Sequence, residues 1–184
     1  MATRPENLPE DFEVRIAHLS DVSQAHVIEA VADADANGEE VDVDAAIADA
    51  EEAAAHRAQA AEYEKEEAKA IEAGDFAGAR EYAVKAEHEH ALAAEHGGAE
   101  QPILDAQHDI AKLDEAVWHD KIADENALAA ESYAKSGDLE KAEAYQHTAD
   151  AHESRAVDQA HEAHHPQPHN PHDPYDPYSD HHNG

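Results

Sequence analysis

Seventeen histidines stand in a chain of 184 residues, and seven of them fall within its last 24: His161, His164, His165, His169, His172, His181 and His182. Neutral imidazole is a ligand for zinc, nickel and copper. His161 with His164 or His165 has the spacing that sets side chains on one helical face. The tract predicts transition-metal binding, by zinc or nickel, in an adaptable tail. Three further pairs hold a carboxylate one helical turn from an imidazole: Glu52 with His56, Glu115 with His119, and Glu87 with His90. The first two fall beside the apolar stripe of their helix instead of within it, which reads as pairing at the surface. A di-iron bundle needs Glu from two helices and Glu-x-x-His from two others. The counterpart of Glu87-x-x-His90 reads Asp150-x-x-Glu153, so that chemistry is not expected.

A second candidate is the acidic stretch Asp33-Ala-Asp35-Ala-Asn37-Gly38-Glu39-Glu40-Val41-Asp42-Val43-Asp44. It resembles an EF-hand calcium loop, with oxygen ligands at loop positions 1, 3 and 5 and glycine at 6. The resemblance implies calcium held by Asp33, Asp35, Asn37 and Asp44. Glu40 at position 8 and Asp44 in place of a longer Glu at position 12 depart from the pattern. No nucleophile elbow, phosphate loop, dinucleotide glycine pattern or zinc-protease helix occurs, so an enzyme is not expected.

These residues must be positioned by helices. Phe12, Val14, Ile16 and Leu19 alternate as a short strand or extended arm would. A first helix is expected from Ser20 or Asp21, with Gln24 as capping-box partner, to Asn37-Gly38. Long helices follow over 44–73, 76–96, 102–136 and 139–165, punctuated by Gly74-Asp75, Gly97-Gly98 and Gly137-Asp138. Thirteen identities between positions 47–93 and the stretch 63 residues later mark an internal duplication, among them Ile47, Glu52, His56, Gly74, Asp75 and Tyr82. Apolar stripes run through Ile47, Ala50, Ala54, Ala58 and Ala61 and through Ile103, Ala106, Ile110, Leu113 and Val117. Trp118 and Leu104 are expected to concentrate the second hairpin's core. The patterns Ala70-x-x-x-Gly74-Asp75-Phe76-x-x-Ala79-x-x-Tyr82-x-x-x-Ala86 and Tyr133-x-x-x-Gly137-Asp138-Leu139-x-x-Ala142, with Ala149, resemble the turn and second helix of tetratricopeptide repeats. The period of 63 against the family's 34, longer helices and no terminal proline depart from it. That resemblance implies hairpins that hold a partner peptide in a groove.

The expected fold class is all-α: duplicated long antiparallel helical hairpins, as a bundle or tetratricopeptide-like, with a short N-terminal helix and a disordered C-terminal tail. The expected organisation is an arm, helix and acidic loop over 1–43, hairpins over 44–98 and 99–165, and a Pro/His-rich tail over 166–184. Only 25 residues are Leu, Ile, Val or Phe while 43 are Ala, so the cores must be thin. Twelve Lys and Arg against 44 Asp and Glu leave a formal charge of -32, which repels nucleic-acid backbones and anionic membrane surfaces. With zero cysteines there is no thiolate chemistry or disulfide frame. No signal sequence or transmembrane run is read, so a cytoplasmic location is the expectation. The leading functional expectation is a non-enzymatic scaffold or assembly protein acting through a protein partner or self-association. Alternatives are divalent-metal binding and mimicry of nucleic acid by the acidic surface.

Overall fold

The structure, a computed structural model, describes residues 11–38, 42–97 and 100–164. Among these residues there are six α-helices and no strand, so the chain is all-α. The tail over 166–184, and with it the expected ligands His165, His169, His172, His181 and His182, lies outside the described residues.

The N-terminal alternation is helical, not extended. Phe12–Ile16 forms α1, in which Phe12 and Ile16 stand four residues apart and bury on one face while Val14 faces solvent. Asp21–Asn37 forms α2, whose N-cap is Ser20: its hydroxyl accepts from the Ser23 N–H at 3.3 Å. Gln24 does not close a capping box with Asp21; its amide donates to the Leu19 carbonyl at 2.9 Å. The helix ends at Gly38, in the left-handed conformation with φ 71°. Val43–Glu72 is α3, capped by the Asp42 carboxylate accepting from the Ala45 N–H at 3.1 Å. Phe76–Glu95 is α4, Gln101–Ser136 is α5 and Leu139–His164 is α6.

The duplicated sequence makes duplicated turns. At Gly74 (φ 74°) the Gly74 N–H donates to the Ile71 carbonyl at 3.0 Å and the Asp75 N–H to Ala70 at 2.9 Å. The Asp75 carboxylate accepts from the Gly78 N–H at 2.9 Å to open α4. Sixty-three residues on, Gly137 (φ 82°) donates to Ala134 at 3.1 Å, Asp138 donates to Tyr133 at 3.0 Å, and the Asp138 carboxylate accepts from the Lys141 N–H at 3.3 Å. Both are Schellman closures followed by an aspartate N-cap. The position a Cβ would take at Gly137 meets nothing within 4 Å, so only backbone strain opposes a side chain there. Gly137→Val is therefore expected to cost about 1–2 kcal/mol, the left-handed penalty for a residue with a Cβ. A far-UV circular dichroism melt coincident with wild type would refute the cap's role.

The described residues divide into two compact units, one within 11–67 with 81–107, the other within 68–80 with 108–164. This division runs through the helices. In the first unit, Phe12, Ile16, Val27, Val31, Val43 and Ala50 form a buried cluster, with Leu19, Ala46 and Ile47 packed against it. The α3 seam then continues through Ala53, Ala60 and Glu67, against the expected Ala54, Ala58 and Ala61; Ala58 is exposed. In the second unit the buried α5 positions are Leu113, Ala116, Ala123 and Ala130, and those of α6 are Ala149, Ala156, Ala160 and Ala163. Seven-residue repeats of this kind keep one face of a long helix against its neighbours. Trp118 and Leu104 do not sit in a core: both are exposed. Alanine fills most of the seams because a small side chain lets helices approach closely, and Trp118, Leu128 and Leu139 are left outside.

Candidate functional site

None of the three same-helix carboxylate–imidazole pairs is where its histidine bonds. Each histidine instead reaches an opposing helix. In the first unit His56 Nδ1 on α3 lies 2.7 Å from Glu89 Oε2 on α4, and both side chains are mostly buried. His90 Nε2 lies 2.9 Å from Glu64 Oε1, and that hydrogen bond holds the Glu64 carboxyl below its ordinary range against the opposing effect of burial. Glu87 takes the Gln107 amide at 2.7 Å.

His96, which follows the last residue of α4, completes a group that spacing along the chain does not reveal. Its Nδ1 is 3.3 Å from Asp49 Oδ1 and its Nε2 is 3.7 Å from Glu52 Oε1. The His56 and His96 rings stack with centroids 6.2 Å apart and planes 12° from parallel. One ligand atom each from Glu52, His56 and His96 lies within 4.8 Å of the other two. Asp49, Glu52 and His56 share one face of α3 at spacings of three and four. Gly97, with φ 82°, fixes where His96 leaves the helix. The ring of His26 on α2 occupies the space a Cβ at Gly97 would need, so this turn has no room for a side chain.

The second unit carries the same layout with different chemistry. His119 lies across from His152, Nδ1 to Nδ1 at 2.8 Å, at the separation of 33 residues that also links His56 and Glu89. Lys112 donates to Gln159 Oε1 at 3.2 Å, at the separation of 47 that links Asp49 and His96. Lys112 also pairs with Glu162 at 2.8 Å. Trp118 stands edge-on to both imidazoles, at 4.7 and 6.0 Å between centroids. Burial, then the charges of His152 and Arg155, push the His119 pKa down, and Glu115 opposes them. Duplication has thus kept the positions and exchanged an acidic set for a neutral and basic one.

The expected calcium loop is not a loop at its start. Helix α2 runs on to its glycine cap, so Asp33, Asp35 and Asn37 all stand on helical backbone. At about 100° per residue, Asp35 projects roughly 200° around the axis from Asp33, so on this helix the three are not gathered around one point. Asp44 lies in the first turn of α3, where its carboxylate pairs with the Arg15 guanidinium. Of the histidine tract, His161 is exposed on α6 and His164 is the last residue of that helix.

Compared with family models, curated proteins and solved structures, the chain finds no match in any of the three. The tetratricopeptide and EF-hand resemblances therefore stand on short sequence motifs. No helix among the described residues is long and apolar enough to cross a membrane.

Proposed function

We propose that this protein is a non-enzymatic, acidic helical scaffold of the cytoplasm whose second unit docks a basic protein partner. One observation carries the reading: the second unit leaves large apolar side chains in water that its alanine seams do not take up. Trp118, the one tryptophan, is 56% exposed, and Leu128 and Leu139 are 67% and 69% exposed, while alanines fill the interior. Aromatic and leucine side chains displayed among charged ones are what a partner's surface covers. A formal charge of -32 opposes a second copy of the chain and attracts a cationic protein, so the partner is basic.

The test is affinity capture from the source organism with wild type and with Trp118→Ser/Leu128→Ser, eluted in steps of salt. The expected result is a basic protein held by wild type, absent from the double variant, and released as salt approaches about 1 M, where the screening length falls to about 3 Å. Capture of the same proteins by both forms, or capture indifferent to salt, would overturn the reading.

A further inference from the structure

The geometry points to a binding site for a first-row divalent cation, with zinc the best fit, formed by Glu52, His56 and His96 in the first unit. This inference is independent of the docking surface on the second unit.

The donor set is two imidazoles and one carboxylate. That set is used by three-ligand zinc sites, in which water or another ligand takes the fourth position. Imidazole suits zinc, copper, nickel and iron, and the lack of thiolate argues against a purely soft ion. What distinguishes the group from an ordinary acidic surface is the arrangement behind the ligands. Ligating histidines characteristically donate their second ring N–H to a carboxylate, which fixes the tautomer and makes the free nitrogen a better donor. Both histidines have that support: Glu89 at His56 Nδ1, 2.7 Å away, and Asp49 at His96 Nδ1, 3.3 Å away. Each Nε2 is thereby left as the metal-facing atom, and His96 Nε2 already lies 3.7 Å from Glu52 Oε1.

Bonds of about 2.0–2.1 Å in a tetrahedron hold ligand atoms about 3.4 Å apart. The three ligand atoms here lie within 4.8 Å of one another, so a modest inward swing closes the set. Glu52 is exposed and free to make it. His96 sits at the C-terminal end of α4, where the helix presents its negative pole, and its backbone is anchored by the tight Gly97 turn against His26.

The second hairpin supplies the contrast. At the positions 63 residues later, Asp49 becomes Lys112, Glu52 stays Glu115, His56 stays His119, Glu89 becomes His152 and His96 becomes Gln159. One ligand and both supporting carboxylates are gone, and a lysine ammonium stands there instead. A cation is therefore expected at the first copy and not at the second, although the same backbone carries both.

The experiment is zinc titration of the full chain at about pH 7.5, followed through the histidine side-chain NMR signals so that binding by the tail is read separately. His56 and His96 signals should move together with one midpoint. Glu52→Gln, an exposed substitution, and His96→Gln, which imports the residue of the second copy, should each weaken the His56 midpoint by at least about tenfold. Glu89→Gln should weaken it about 10–100-fold, the usual loss for an outer carboxylate, and His119→Gln should leave it in place. Unmoved His56 and His96 signals, or a His56 midpoint unchanged in both Glu52→Gln and His96→Gln, would overturn the site.

Discussion

Leu113→Ala is expected to lower the unfolding free energy by about 2–4 kcal/mol, whereas Trp118→Ala, which removes far more side chain, should cost less than about 1 kcal/mol. The inversion follows from where each residue stands. Leu113 is fully buried and is the largest side chain among those so enclosed. The α5 seam continues from it through Ala116, Ala123 and Ala130, and in a seam of alanines few flexible side chains are available to move into the space it leaves. Trp118 keeps more than half its surface in water, so truncation forfeits less burial; its ring stands edge-on to His119 and His152. Chemical denaturation followed by far-UV circular dichroism reads both variants without relying on tryptophan emission. A larger loss for Trp118→Ala than for Leu113→Ala would mean that the bulky residues do hold the helices together and that the seam argument is wrong.

The helix bounds were readable almost to the residue because glycine and aspartate punctuate them: a left-handed Gly ends each helix of the two tight turns and the following Asp caps the next. The region around α1 was not, since Phe12, Val14, Ile16 and Leu19 fit an alternating strand as well as a helix. What decides is that Phe12 and Ile16 bury together at a spacing of four. Seam register failed for a related reason. Where alanine is so frequent, several stripes satisfy three-four spacing, and only the partner helix selects Ala53 and Ala60 over Ala54 and Ala61. Spacing along one helix, which relates Glu52 to His56, carries no information about His96. The signal lay in the turn: His56 and His96 stand at comparable distances on either side of Gly74-Asp75, so an antiparallel hairpin must bring them near each other. The acidic stretch differs in the opposite sense: loop spacing is present in the sequence, while the helix beneath its first residues continues to Gly38.

Exchanging His152 for the glutamate that occupies its counterpart position in the first hairpin should reverse the direction of the His119 pKa shift. A hydrogen bond between two imidazoles at 2.8 Å requires that at least one of them be neutral. Burial, His152 and Arg155 all disfavour the charged form of His119, and Glu115 is too weak a counterweight, so its pKa lies below the ordinary value. The folded chain then binds fewer protons at this site than the unfolded chain does. The pair's contribution to stability is therefore complete above about pH 6.5, the ordinary histidine value, and is lost as the pH falls through that value and on through the lowered folded one. In His152→Glu, His119 faces a carboxylate as His56 faces Glu89, and the carboxylate favours imidazolium. The contribution should then be present at low pH and be lost as the pH rises through the raised folded value. NMR titration of His119 gives the direction at once. Denaturation of both proteins at pH 5.5 and 7.5 gives its consequence, because every other group is common to the two chains and largely cancels in the difference. Wild type should lose stability relative to the variant on acidification. A His119 midpoint that does not rise in His152→Glu would show that the partner across the hairpin does not govern its protonation.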